Sequence, residues 1–204
     1  MDELERMVTG KIYDPSDEKL LSFRDHAHRL CAEFNALAEG EARRDAILEE
    51  LLIHRYENLM LVGPIYFDYG RFTSFGKNCF ANFNFTVLDC APVYIGDNVF
   101  FGPNVSIVTP MHPLLGEERK IYKNEKGALT DKEYAKPIAI GSNCWIASNV
   151  TIIGGVKIGE GSTIGAGSVV TRDIPPHSLA VGNPCKVIRK ITKEDSIYVK
   201  KNLF

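Results

Sequence analysis

The chain has 204 residues, which is enough for one or two domains with a substantial hydrophobic core. Its 24 lysines and arginines nearly balance its 26 aspartates and glutamates, and the formal net charge is -2. This balance gives no strong field that would favour a nucleic acid or a membrane surface as partner. The charged N-terminus lacks the apolar core of a signal peptide, and no run approaches the roughly 18 apolar residues that span a bilayer. We therefore expect a cytoplasmic protein.

The first 60 residues predict a small helical module. Apolar residues recur there at intervals of three and four, as in an amphipathic helix: Leu20, Leu21, Phe23, Ala27, Leu30, Cys31, Phe34 and Leu37. Asp14 and Pro15 are typical of an N-cap followed by proline at the first helical position, and Gly40 is typical of a helix end. A second helix is predicted over about 41–54, where the apolar residues share one side.

After Gly63 and Pro64 the apolar pattern changes to a period of six. Each hexad begins with an aliphatic, aromatic or small residue, and a glycine or a small polar residue often follows. The leading residues form three blocks: Phe75, Ala81 and Val87; Ile95, Phe101 and Ile107; Ile140, Ile146, Ile152, Ile158, Ile164 and Val170. The spacing slips by two residues between Val87 and Ile95, which we interpret as a bulged corner.

A period of six fits neither a strand, which alternates every two residues, nor a helix with its 3.6 residues per turn. If each hexad forms one side of a triangular coil, every sixth side chain points inward and stacks on its counterpart in the next coil. Small residues beside it let the chain turn the corner. A sandwich with frequent turns is the alternative, but its strands would be variably spaced. The sequence therefore predicts a parallel β-helix from about Tyr69 to Val181, within a domain spanning 61–186.

Two segments depart from the repeat. Residues 109–137 form a polar, charged interruption without a clear period, and long loops on a rigid scaffold are usually functional or disordered. Residues 187–204 are predicted to form a helical tail, because Thr192 and Asp195 have the spacing of a capping box.

The cysteines predict buried free thiols. They are odd in number, widely scattered and never in a CxxC pair, which favours neither a disulfide framework nor a zinc site. Their positions are Cys31, Cys79, Cys90, Cys144 and Cys185.

Among the histidines, His112 is the best placed for chemistry. It stands where the regular coils give way to the long loop, with a rigid support on one side and a variable cover on the other. Imidazole titrates near neutral pH and can remove a proton from an attacking hydroxyl. The alternative is a surface or hydrogen-bonded structural histidine. His112 has no companion histidines at coil-related spacings, so the sequence suggests no metal site.

Trp145 and a late group of basic residues are candidates for ligand contacts. Apolar packing is the default interpretation of Trp145, and a flat platform against a ligand is the alternative. Arg172, Lys186 and Arg189 place positive charge near the end of the predicted β-helix. Such charges are usually solvated, but at one edge they could hold an anionic phosphate.

Longer segments resemble the maltose and galactoside O-acetyltransferases, and the nodulation-type acetyltransferases, of the hexapeptide-repeat superfamily. They cover nearly the whole chain: MVTGKIYDPSDEKL, DYG, NCFANFNFTVLD, IGDNVFFGPNVSI, TPMHP, KPIAIGSNCWIASNVTI and GAGSVVTRDIPPHSLAVGNPCKVIRKI. The resemblance implies a left-handed parallel β-helix, a homotrimer with active sites at subunit interfaces, and acetyl-CoA as the donor.

The same resemblance implies roles for individual residues. His112 matches the catalytic base, and Asn82 matches a residue close to that histidine and to the acceptor. Three residues match acceptor-side positions: Asp17, Arg24 and Asp89. Seven residues match positions that line the coenzyme A tunnel: Trp145, Ser148, Ala166, Thr171, Arg172, Lys186 and Arg189. Cys90 stands where galactoside-type members carry a second aspartate, and the opening and the loop ending EYAKPI are closer to the maltose type.

These matches predict acetyl transfer from acetyl-CoA to a hydroxyl of a maltose- or glucose-like sugar, with no metal required. Two alternatives stay open: acetylation of a xenobiotic by the same fold, and a β-helical binding protein without catalysis. The N-terminal module disfavours the first, because xenobiotic acetyltransferases of this superfamily generally lack it. His112, Asn82 and Trp145 together disfavour the second. The acceptor is left unspecified, since sugar discrimination depends on a few hydrogen bonds in a pocket that the irregular loop helps to form.

Overall fold

Three helices open the chain in the computed structural model, which describes residues 1–53 and 57–199. They are α1 (Glu3–Val8), α2 (Glu18–Ala36) and α3 (Ala42–Leu51). The predicted start of the long helix was three residues early, because the N-cap is Asp17, whose carboxylate accepts hydrogen bonds from the backbone of Lys19 and Leu20. Asp14 instead begins a turn that leads into this cap. The predicted end of the last helix, at residue 54, lies outside the described residues.

The predicted parallel β-helix is confirmed, and its strands stack into three faces. The first face contains β1 (Met60–Leu61), β4 (Phe80–Ala81), β7 (Phe100–Phe101), β14 (Trp145–Ile146), β17 (Thr163–Ile164) and β19 (Ser178–Val181). The second contains β2 (Ile65–Phe67), β5 (Phe85–Leu88), β8 (Ser106–Val108), β15 (Thr151–Ile153) and β18 (Val169–Val170). The third contains β3 (Thr73–Phe75), β6 (Val93–Ile95), β13 (Ile138–Ile140) and β16 (Lys157–Ile158).

The leading residues of the hexads stack from coil to coil and are buried. On the first face Phe101 pairs with Ile146, which pairs with Ile164. On the second, Ile107 pairs with Ile152, which pairs with Val170. The parallel coils begin with β1 and β2, before the predicted start at residue 69, because Leu61 and Phe67 already stack on the next coil.

The two-residue slip in the sequence is a longer corner in the first coils. Phe75 pairs with Ile95, twenty positions later, whereas Ile140 pairs with Ile158 after eighteen. The extra residues lie between the second and third faces and fold around Asp89, which is fully buried. Its carboxylate accepts hydrogen bonds from the backbone N–H groups of residues 69, 70 and 72 and from the Thr73 hydroxyl. The slip is therefore a bulged corner with a carboxylate at its centre.

Asparagine ladders run along the other two corners. Asn84, Asn104 and Asn149 all adopt positive φ. The side-chain amide of Asn84 donates to Asn104 Oδ1 at 2.9 Å, and that of Asn104 donates to Asn149 Oδ1 at 3.1 Å. Asparagine tolerates this left-handed conformation because its short polar side chain bonds locally. A second ladder runs from Asn58 through residues 78 and 98 to Asn143.

The region predicted as a helical tail begins as a strand. β20 (Lys186–Lys190) pairs antiparallel with β19 and extends the first face. The predicted capping box is present, with the Thr192 hydroxyl and the Asp195 carboxylate each bonding the backbone, but it caps only the 3-10 turn Lys193–Asp195. Residues 200–204 lie outside the described residues.

The long interruption is folded rather than irregular. β9 (Pro110–Met111) pairs antiparallel with β12 (Tyr134–Ala135) and closes its two ends, while β10 (Tyr122–Lys123) and β11 (Leu129–Thr130) form a hairpin at its tip. A 3-10 turn, Gly116–Arg119, lies between β9 and β10. A second apolar cluster joins this segment to the helical module and the bulged corner: Met7, Tyr13, Leu20, Tyr69, Cys90, Ala91 and Ala135. The module and the loop therefore pack together against one corner of the β-helix.

All five cysteines are free and buried, as predicted. Burial raises the pKa of Cys31 to about 11, so it stays a neutral thiol. Within the described part of the chain, no helix has an apolar stretch long enough to cross a bilayer.

Candidate active site

His112 directly follows β9, where the chain leaves the second face, and Asp131 approaches it from the far end of the same segment. The β9–β12 pairing brings these two ends together. His112 Nδ1 lies 3.0 Å from Asp131 Oδ2, and the histidine side chain is 52% exposed. A carboxylate at this nitrogen favours the tautomer that leaves Nε2 free to accept a proton. The arrangement can therefore serve general-base chemistry at the solvent-facing nitrogen.

Asp14 fastens the hairpin that carries Asp131. Its carboxylate accepts hydrogen bonds from the Thr130 hydroxyl and from the Asn124 side-chain amide. Burial alone would raise the pKa of Asp14, but the hydrogen bonds from Thr130, Ser16 and Asn124 outweigh it and lower the pKa to about 2. The carboxylate is thus ionised at neutral pH and anchors the loop to the helical module.

Tyr13 makes a second bridge between the module and the loop. Its backbone pairs with that of Glu133, and its buried hydroxyl donates to Glu133 Oε2 at 2.5 Å. Burial is the main cause that raises the pKa of Tyr13, and the nearby Cys90 and Glu133 raise it further, so the phenol stays a neutral donor. One of the two Glu133 carboxylate oxygens therefore already accepts a hydrogen bond from Tyr13.

Asp68 lies at the same corner, beside the module. Its carboxylate contacts His28 Nε2 at 3.6 Å and the Cys90 thiol at 3.6 Å. Burial raises the pKa of Asp68, while His28 and Arg24 oppose that rise. Arg24, predicted on the acceptor side, is thus a half-buried neighbour of this carboxylate.

The other two predicted acceptor-side acids have structural roles. Asp89 cannot touch an acceptor in this conformation, because it is fully buried and accepts four hydrogen bonds. Burial raises the pKa of Asp89 to about 6, against the opposing effect of these bonds. Asp17 is half-buried and caps α2 through Lys19 and Leu20. Among the nearby acids that were not predicted, Asp14 holds the hairpin next to Asp131, and Asp68 contacts His28 and Cys90.

Three predicted residues share the corner between the first and second faces. This first corner consists of residues 82–84, 102–104, 147–149 and 165–167. Asn82, Ser148 and Ala166 follow strands that are in register through Ala81, Phe101, Ile146 and Ile164. A Cβ on Gly102 would come 2.7 Å from the Ser148 nitrogen, so a glycine is required for the coils to stack there. Trp145 is 55% exposed on the first face, which contradicts the interpretation that it packs in the interior.

The remaining predicted coenzyme A residues lie at two further places. Thr171 and Arg172 are exposed and follow β18 at the corner between the second and third faces, from which the His112 segment also leaves. Lys186 and Arg189 lie on the exposed strand β20. Arg189 forms a bidentate pair with Asp195, both N–O distances being 2.7 Å, and this pairing raises the pKa of Arg189.

Within one chain, Asn82 and His112 are not on the same corner. Asn82 lies on the first corner, whereas His112 leaves from the corner after the second face. The Asn82 side-chain oxygen Oδ1 accepts a hydrogen bond from the backbone N–H of Phe83 at 2.8 Å. The structure therefore brings together His112, Asp131, Glu133 and Tyr13, but it does not add Asn82 to them.

His112 does have possible metal-ligand companions, contrary to the sequence interpretation. Three ligand atoms lie within 4.8 Å of one another, one each from His112, Asp131 and Glu133. An imidazole with two carboxylates could ligate a cation, but the 3.0 Å contact between His112 and Asp131 is also that of an ordinary histidine–carboxylate hydrogen bond.

Sequence reasoning did not assign five residues to the site region: Tyr13, Asp14, Asp68, Asp131 and Glu133. Asp131 and Glu133 lie two residues apart, just before β12. This alternation of acidic residues, close to the point where the coils resume, was the one available sequence signal for these two residues. For Tyr13 and Asp14 there was no local signal, because their partners are more than a hundred residues away.

Comparisons with known proteins agree with this fold. Residues 6–55 match the family described as "Maltose acetyltransferase hexapeptide capping motif", and residues 137–172 match "Bacterial transferase hexapeptide (six repeats)". The galactoside O-acetyltransferase of Escherichia coli is 40% identical over 199 residues, which cover 97% of this chain and 94% of that protein.

Two solved structures of relatives hold the donor or its product. A galactoside acetyltransferase in complex with coenzyme A matches with a TM-score of 0.88 and 40% identity, covering 98% of this chain and 97% of that one. A hexapeptide-repeat acetyltransferase from Vibrio cholerae, in complex with acetyl-coenzyme A, matches with a TM-score of 0.81 and 33% identity, covering 95% and 100%. The chain belongs to the hexapeptide-repeat acetyltransferase family that contains the maltose and galactoside O-acetyltransferases.

Proposed function

We propose that this acetyltransferase transfers the acetyl group of acetyl-CoA to a sugar hydroxyl, with a maltose- or glucose-like acceptor and His112 as the general base. The observation that carries the proposal is the His112–Asp131 pair, 3.0 Å apart, on a segment fastened to the acceptor-side module. No metal is required for this chemistry, because the base and its orienting carboxylate are both supplied by the chain.

In this mechanism Asp131 accepts the Nδ1–H of His112 and holds the ring with neutral Nε2 towards the acceptor. Nε2 removes the hydroxyl proton as the sugar oxygen attacks the thioester carbonyl. The new ester bond forms as the carbon–sulfur bond breaks, and the imidazolium returns the proton to the thiolate. The backbone N–H of Ser148 is the proposed donor to the developing oxyanion.

The placement of the predicted residues supports sites shared between subunits of a homotrimer. His112 and Arg172 lie at one corner, while Asn82, Ser148 and Ala166 lie at another. In a threefold assembly one subunit can present its first corner to the His112 corner of its neighbour. Exposed Trp145, on the face that ends at the first corner, would then lie in the same cleft and could pack against coenzyme A.

The acceptor side is assigned to Glu133, which belongs to the His112 cluster, and to Asp68, which follows the second face beside the helical module. Glu133 and Asp68 offer carboxylate oxygens to sugar hydroxyls, and Arg24 lies beside Asp68. Asp17 and Asp89 are not part of this assignment, because the first caps a helix and the second is fully buried. A cytoplasmic location remains a prediction from the sequence.

A thiol-release assay with acetyl-CoA and glucose, maltose and a galactoside tests the activity. His112→Ala should lower kcat about a hundred- to ten-thousandfold while calorimetric binding of coenzyme A is unchanged. The matched control is His26→Ala, which removes another exposed histidine that is also paired with a carboxylate, on α2. Near-normal turnover of the His112 variant would refute the base, and no thiol release with any hydroxyl acceptor would refute the activity.

Mixing experiments test the shared site. If His112 and Asn82 act across an interface, co-assembling His112→Ala subunits with Asn82→Ala subunits should restore part of the activity that each variant lacks alone. A sizing measurement with light scattering tests whether the protein is a trimer. A monomer that is fully active would refute the interfacial arrangement.

A further inference from the structure

The His112 cluster holds two carboxylates together without a fixed positive charge between them. Asp131 and Glu133 each place an oxygen within 4.8 Å of the other and of a His112 ring nitrogen. Among the described residues, no lysine or arginine forms an ion pair with either acid, and His112 is the one basic group within 4.0 Å of Asp131. Two like charges this close repel each other, so the cluster favours a cation between them.

The separations within the cluster suit a small four-coordinate metal ion. Zinc bonds to nitrogen and oxygen are about 2.0–2.2 Å long, so neighbouring ligand atoms of a tetrahedral site lie about 3.3 Å apart. His112 Nδ1 and Asp131 Oδ2 are already 3.0 Å apart, and the Glu133 oxygen needs to move by no more than about 1.5 Å. The exposed side of His112 leaves room for water as the fourth ligand.

The donor set distinguishes among cations. Mg²⁺ and Ca²⁺ take oxygen ligands, whereas an imidazole nitrogen is a preferred ligand of Zn²⁺ and the neighbouring transition metals. A neutral imidazole with two carboxylates also balances the charge of one divalent ion. The cluster therefore matches an ion of the zinc class.

Tyr13 supplies the outer support that metal-ligating carboxylates usually have. Its hydroxyl, on a side chain that is almost completely buried, donates to Glu133 Oε2 at 2.5 Å. Such a donor outside the ligand set fixes the orientation of a ligating carboxylate. The hydrogen bond between His112 and Asp131 does not involve Glu133, so it does not account for a third ligand held in place beside them.

We propose that His112, Asp131 and Glu133 bind one divalent ion of the zinc class, and that the bound ion inhibits acetyl transfer. The inhibition rests on the proposed function, in which His112 is the base. A metal at Nδ1 takes the lone pair of that nitrogen, so the single proton of the neutral ring has to lie on Nε2. An Nε2–H group cannot accept the proton of a sugar hydroxyl.

Calorimetric titration of the chelator-treated protein with zinc chloride tests the site. His112→Ala, Asp131→Asn and Glu133→Gln should each weaken binding by about tenfold or more, and Tyr13→Phe, which removes only the outer donor, by about ten- to a hundredfold. His26→Ala is the matched control, because it removes an exposed histidine that also has a carboxylate 3.2 Å away, and it should leave the affinity unchanged. Equal losses for the His26 and His112 variants would mean adventitious binding to exposed histidines and would overturn the inference.

The effect on turnover is measured separately. At a zinc concentration ten times the measured Kd, acetyl transfer should fall about tenfold, and a chelator should restore it. The rate is followed by loss of thioester absorbance, since zinc also binds the released thiol. Acetyl transfer without zinc binding at this cluster would overturn this inference alone. Zinc binding there without inhibition would overturn both the inhibitory role and His112 as the base. Zinc binding in a protein that acetylates no hydroxyl acceptor would overturn the proposed activity and leave the metal site in place.

Discussion

The regular coils between residues 138 and 181 and the cluster around His112 are stabilised in different ways. In the coils, Ile152 pairs with Val170 eighteen positions later and with Ile107 in the coil before. Both pairings are between parallel strands of the same face. Around His112 the decisive contacts are single side-chain pairs between distant segments, such as Asp14 with Thr130 and Tyr13 with Glu133. The repeat thus supplies a rigid frame, while a few unique contacts supply the site.

The largest effect expected from this comparison is on the stability of the coils. Ile152 is fully buried in the middle of the second-face stack, and Ile152→Ala should lower the free energy of unfolding by about 2–5 kcal/mol through the cavity it leaves. Denaturant unfolding measures this loss. Thr151→Ala, at the neighbouring outward position, is the control. Equal losses for both variants would contradict the assignment of the inward stack.

A complementary substitution alters the candidate active site and leaves the β-helix intact. Asp131→Asn should lower kcat about tenfold to a thousandfold, because an amide holds the His112 ring less well, while KM for acetyl-CoA changes little. Steady-state kinetics measures the two constants separately, and thermal unfolding should be nearly unaltered. Asp131→Glu should restore part of the rate. A loss confined to KM would assign Asp131 to binding instead of to positioning His112.

The Asp14 anchor provides a test that depends on pH. Its folded pKa of about 2 lies below the unfolded value of about 3.9, so it stabilises the fold above pH 4 and the stabilisation is lost as pH falls towards 2. Asp14→Asn should therefore lower the melting temperature at pH 7, and the difference from the unaltered protein should shrink between pH 4 and pH 2. A difference that does not change with pH would contradict an ionised anchor.

The smallest effect concerns the corners of the frame. Asn104→Ala should cost about 1–2 kcal/mol, because alanine is strained at the observed φ of 60° and two ladder hydrogen bonds are lost. Asn104→Gly loses the same bonds without the strain and should cost less. Chemical unfolding of the two variants separates strain from hydrogen bonding. A glycine variant that is less stable than the alanine variant would contradict this account.

The fold could be predicted because the hexad is a local signal that recurs many times. The leading residues of the hexads, such as Ile140 and Ile158, each indicate the same inward position. The two-residue slip also indicated the bulged corner in which the Asp89 carboxylate is buried. Asp89 itself was misassigned to the acceptor, since a sequence match carries no information about burial. The strand β20 was also predicted wrongly as helix, because its pairing with β19 overrides local preference.

The site could be predicted only in part. His112 was found because it stands where the repeat breaks, but its partner Asp131 lies nineteen residues further along a segment without a period. Asp17 and Asp14 are close in sequence, yet one caps a helix and the other holds the distant hairpin. Sequence spacing alone could not separate these roles.

By itself, then, the sequence determined the six-residue repeat, the inward stack, the helical module and the position of His112, because each depends on contacts that recur locally along the chain. Only the tertiary structure decided which carboxylates face His112, that Trp145 is exposed, and that Tyr13 holds Glu133 beside them. These features depend on how the module and the long segment pack against one corner. Such packing joins residues far apart in the chain and leaves no period to find.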